Sequence, residues 1–93
     1  MPKILIYKFL TFYFYSGDIN ERGHVHIINS KSYTKAAKIW FEGNINIFDK
    51  GNLTQKEINQ SLKVVSNNKN YLIEQWTIFK NGGSTKIKVI NKI

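Results

Sequence analysis

The spacing of apolar residues changes once along this chain, and that change limits what it can fold into. Up to about residue 48 the apolar positions come in short runs or alternate with polar ones, and aromatic and β-branched residues are frequent. That pattern suits half-buried strands. Residues 4–15 predict two short strands with a bend near Tyr7-Lys8. Residues 16–23 (SGDINERG) read as an exposed connection. Strands follow at 24–28 and 34–42, separated by a polar turn from Asn29 to Ser32. Gly43-Asn44 marks another turn, and INIF at 45–48 adds a short edge segment.

From Thr54 the period becomes helical. Thr54 and Glu57 form a capping-box pair, in which the Thr hydroxyl accepts from the backbone N–H of Glu57 while the Glu carboxylate reaches back. Ile58, Leu62 and Val65 then fall on one helical face. Asn67 to Asn70 interrupts it. A second helix groups Leu72, Ile73, Trp76 and Phe79 and stops at Asn81-Gly82-Gly83. The tail from residue 84 to 93 reads as a basic end or an edge strand.

The expectation is therefore one α+β domain over residues 1–93. A small antiparallel sheet of three to five strands spans about 3–48, and a C-terminal two-helix hairpin at about 54–81 packs on one face. Ninety-three residues suit a single domain with a modest core. No apolar run approaches the roughly 20 residues that span a bilayer, and the aromatic N-terminal stretch lacks a signal-peptide cleavage pattern. The expected location is the cytoplasm. The absence of cysteine excludes disulfides, Cys-based zinc sites and thiol catalysis. No cofactor is expected.

Charge suggests a partner. Fourteen basic residues against six acidic give +8, and such a field attracts polyanions. The lysines are spread from Lys3 to Lys92 without a block, and eleven Asn and fourteen Ile beside two Ala also fit the codon bias of an AT-rich genome.

Alternation assigns two sheet faces if helices cover one. Phe12, Phe14, Val25, Ile27, Ala37, Ile39 and Phe41 group under the helices. Tyr13, Tyr15, His24, His26, Lys38 and Trp40 group on the other face. These side chains could stack bases or anchor a protein partner. The plainer alternative is that Trp40 and the tyrosines complete a thin core or a homodimer contact.

Asp18, Glu21, Arg22, His24 and His26 form the densest titratable cluster. Histidines at i and i+2 on a strand share a face, so His24 and His26 could act as acid and base on RNA beside Arg22. The same histidines with Asp18 could instead hold a divalent metal. The residues alone leave structural, catalytic and metal-binding roles open.

The order of segments resembles the bacterial family called domain of unknown function 4160. The resemblance rests on Met1-Pro2, FYFYS at 12–16, the acidic loop before HVHI at 24–27, AKIWF at 37–41 and the helical pattern to Phe79. Family members commonly carry proline before the His-x-His, where this chain has Arg22-Gly23. The resemblance implies a component of a toxin–antitoxin-type pair with a small protein partner encoded beside it. The family's His-x-His maps onto His24 and His26, and its aromatic strand onto Tyr13 and Tyr15. The leading expectation is a module that binds a partner protein through the Tyr/His/Trp face, with RNA as a second candidate ligand of that face. The alternatives are a metal-independent ribonuclease using His24, His26 and Arg22, and a metal-binding structural domain.

Overall fold

A computed structural model describes the backbone of residues 1–93 and every side chain except those of Asp18, Ser32, Tyr33 and Thr34. Strands β1 (Lys3–Tyr7), β2 (Leu10–Tyr13), β3 (His24–Asn29), β4 (Ser32–Trp40) and β5 (Asn46–Asp49) form an antiparallel meander. Two helices follow, α1 (Gln55–Asn67) and α2 (Lys69–Lys80), and the chain ends in β6 (Lys88–Ile90). The sheet order is β5-β4-β3-β2-β1-β6. The expected bend at Tyr7-Lys8 is the β1–β2 turn, where Lys8 takes a left-handed φ of 53°.

The sheet is larger than expected and mixed, because β6 pairs parallel to β1. The helices carry the chain from the β5 edge to the opposite edge, where α2 anchors the returning tail. Gln75 Oε1 accepts from the Lys86 backbone N–H at 2.8 Å. The Tyr71 hydroxyl lies 2.9 Å from the Ile4 carbonyl and 3.0 Å from that of Lys86, so its one proton can serve either. Burial raises the Tyr71 pKa from its ordinary value, with the negative charge of Glu74 adding to the rise.

The two helices form an elbow rather than a hairpin. Only Asn68 separates them, whereas an antiparallel helix pair uses a loop of about two to five residues. Helical bonding continues through the joint, from Asn68 N to Val64 O and from Leu72 N to Asn68 O. Asn68 itself departs from helical geometry at φ −118° and ψ 22°. Its side-chain amide also donates to the Val64 carbonyl. At the far end, Gly82 adopts φ 76° and donates to Phe79 O, while Gly83 donates to Ile78 O. This is a Schellman closure, which needs a left-handed residue after the last turn.

All seven residues assigned beneath the helices have no exposure. They pack with Ile58, Val64, Val65, Leu72 and Trp76. Phe14 is a hub of this layer, its ring 5.0 Å from Trp76, 5.3 Å from Phe79 and 6.2 Å from Phe41. Ile73, grouped with the buried side of α2 by spacing, is 39% exposed and lines a cleft beside Phe41 and Lys80. The α2 stripe is centred on Leu72 and Trp76 and leaves Ile73 at its rim.

The capping box is complete. The Thr54 hydroxyl accepts from Glu57 N, and Glu57 Oε1 accepts from Thr54 N at 2.8 Å. Glu57 Oε2 also accepts from the Asn29 amide at 2.6 Å, tying α1 to the end of β3. The Thr54 N–H first, with the Asn29 amide behind it, holds the Glu57 carboxyl below its ordinary value against the opposing effect of burial. Asp49 is also lowered, first by the Gly51 N–H and further by Lys35. A depressed folded-state pKa adds stability that is complete above the unfolded-state pKa and is lost as pH falls through the folded one. Thermal unfolding should therefore change little from neutrality to about pH 5 and weaken below about pH 4. Glu57→Gln should flatten that acid limb. Thr54→Ala should cost about 1 kcal/mol at neutral pH.

Candidate functional site

The uncovered face of the sheet carries a row of rings built by cross-strand pairing. Tyr13 on β2 pairs with His26 on β3, and His24 pairs with Trp40 on β4. Side chains opposite one another in an antiparallel pair meet on one face. The Tyr13 and His26 rings are stacked at 5.4 Å, and Tyr15 meets His26 edge-on at 6.3 Å. His26 meets His24 at 5.0 Å, His24 meets Trp40 at 5.1 Å, and Trp40 meets Phe48 of β5 at 5.6 Å. The row thus crosses four strands, and all five ring residues expected on this face belong to it.

Cations sit on the Trp40 end. The Lys38 ammonium lies 4.5 Å from the Trp40 ring and 4.8 Å from the Phe48 ring. The Arg22 guanidinium is 5.4 Å from Trp40. These are cation–π distances. Lys38 also pairs with Glu21 at 2.8 Å. Arg22 donates to the backbone carbonyls of Glu42 and Asn44, which pins it across the β4–β5 turn. At the Tyr13 end, Lys3 joins Met1, Thr11, Tyr13 and Ile28 around a shallow hollow.

The two histidines differ. His24 is on the expected face yet is only 1% exposed, because Trp40, His26 and the Trp76 ring 5.5 Å away crowd around it. Its Nδ1 lies 2.8 Å from the Arg22 carbonyl. A carbonyl only accepts, so Nδ1 is the donor in this contact. His26 is half-buried. As an acid–base pair they are adjacent, but His24 reaches a substrate only if its neighbours move. Arg22 steadies a phosphate only from where the two carbonyls hold it. Among the described residues, no group of three His, Asp or Glu could hold a metal ion. The Asp18 side chain, expected as the third ligand, lies outside the described residues.

Phe48 is the surface residue that sequence reasoning missed. At 64% exposure it is one of the most exposed large apolar side chains, and it extends the row to the sheet edge. Its placement follows from the register: Ile47 pairs with Ile39 on the covered face, so its neighbour turns outward beside Trp40.

A mixed sheet covered by two helices on one face, with aromatic rings and cations on the other, defines a small α+β domain. The chain belongs to the family described as "Domain of unknown function (DUF4160)", whose model matches residues 10–77. That span holds Tyr13, Tyr15, Glu21, Arg22, His24, His26, Lys38, Trp40 and Phe48, leaving β1, β6 and Lys3 outside. No curated protein and no solved structure matches the chain. No helix among the described residues is long and apolar enough to cross a membrane.

Proposed function

We propose that this chain is the RNA-binding member of a toxin–antitoxin-type pair, with a small protein encoded beside it as its counterpart. Its working surface is the uncovered sheet face. The observation that carries this reading is the ring row from Tyr13 to Phe48 with Lys38 and Arg22 seated on Trp40. Aromatic faces bordered by cations suit bases linked by phosphates. Charge points the same way, since the formal net charge is +8. Four of the carboxylates are occupied within the fold: Glu21 on Lys38, Glu42 on the Gly23 N–H, Asp49 on Gly51, and Glu57 in the cap.

A pair of equal charge reversals tests it. Lys3→Glu alters the uncovered face, and Lys63→Glu alters the outer side of α1. Fluorescence polarisation with labelled bacterial RNA should give weaker binding for Lys3→Glu than for Lys63→Glu. Equal losses would reduce the binding to net charge, and no binding by the wild type would turn the face over to a protein partner. The same RNA run on a denaturing gel reads out cleavage. Shortening that disappears in His24→Ala/His26→Ala would put the ribonuclease reading in place of binding alone.

A further inference from the structure

The geometry points to an unpaired RNA segment as the ligand of this face, crossing the sheet from β2 to β5 with one base on Tyr15 and another on Phe48. This inference rests on the reading of the uncovered face as an RNA surface and specifies the form of RNA it takes.

Exposure separates the rings by what they can do. Tyr15 is 47% and Phe48 64% exposed, so each offers ring surface to a ligand. The rings between them are spent on one another. Tyr13 stacks on His26, His24 is covered, and Trp40 meets His24 and Phe48 while carrying Lys38 and Arg22. The result is two accessible stacking positions, one at each end, with cations near the Phe48 end. Three strand spacings of about 4.8 Å separate β2 from β5, so the span is about 14 Å. A few nucleotides splayed out of helical stacking bridge that distance.

A duplex does not fit this arrangement. Its bases are already stacked and paired, so none has a free face to lay on Tyr15 or Phe48. The face is part of a six-stranded sheet and projects no helix or ribbon into a groove. Its cations also fail to form two rows matching two phosphate backbones. Lys38 and Arg22 gather on Trp40, and Lys3 stands apart beside Tyr13. The Lys38 side chain is 16% exposed against 43% for its partner Glu21, so a phosphate reaches the ammonium by exchanging with Glu21 at the open side of that ion pair.

The test compares a short labelled oligouridylate with the same strand annealed to oligoadenylate, using wild type, Tyr15→Ala and Phe48→Ala. Both rings are exposed, so neither substitution endangers the core, and circular dichroism checks that. The single strand should bind more tightly than the duplex. Each substitution should weaken single-strand binding by about 5- to 100-fold, the range for losing one base-stacking ring. Duplex binding should hardly change. Equal binding of both forms, or single-strand binding indifferent to both rings, overturns this inference while leaving RNA binding in place. Failure of every RNA to bind overturns the functional reading together with it.

Discussion

Phe14→Ala should remove about 3–5 kcal/mol of stability, a large share of what a domain of this size possesses. Phe14 has no exposure, and its ring joins the sheet to α2 through Trp76 and Phe79. Truncation leaves a cavity that three other rings cannot fill without leaving their own partners. Each lost kcal/mol lowers the unfolding midpoint of a domain this small by about 4–8 °C, so a fall of at least about 12 °C is expected. Thermal unfolding followed by circular dichroism measures it. Tyr13→Ala, one residue earlier on the other face, should cost far less, because it leaves the helix–sheet layer intact. Similar losses for both would mean that the uncovered face is as much a core as the covered one.

Gly51→Ala should be the most damaging single-methyl change. Gly51 sits at φ 56°, where L-residues are disfavoured by roughly 1–2 kcal/mol. An added Cβ would also lie 2.5 Å from the Ala36 carbonyl carbon and 2.6 Å from the Lys35 oxygen. Those contacts are with backbone, which a rotamer change cannot relieve. The turn is held there by Asn52 N donating to Lys35 O and by Gly51 N donating to Asp49 Oδ1. Gly82 provides the control, since its φ is 76° but no atom lies within 4 Å of the added Cβ. Gly82→Ala should cost only the conformational part. Urea titration of the two variants separates the terms, and equal losses would show that the Gly51 turn can move away from β4 at little cost.

Much of this surface was legible because strand geometry is local. Side chains alternate along a strand, so the covered and uncovered groups could be separated before any pairing was known. The Thr54–Glu57 cap and the stop at Gly82-Gly83 were equally legible, as each is closed by residues a few positions apart. Phe48 escaped notice because its strand is a four-residue edge segment, whose register needs the Ile39–Ile47 pairing to be seen. The burial of His24 was also out of reach. It depends on Trp76, which is fifty-two positions away and belongs to another layer.

The sequence by itself determined the change from strands to helices at Thr54, the seven buried positions beneath the helices and the rings on the opposite face. Periodicity and capping decide those features, and both act over a few residues. Only the tertiary structure decided the mixed sheet, the elbow at Asn68 and which of the rings remain open. Each of these depends on contacts between distant segments, such as Tyr71 with Ile4 and Lys86 or Trp76 with His24. Such contacts follow from how the segments pack together and leave no trace in local spacing.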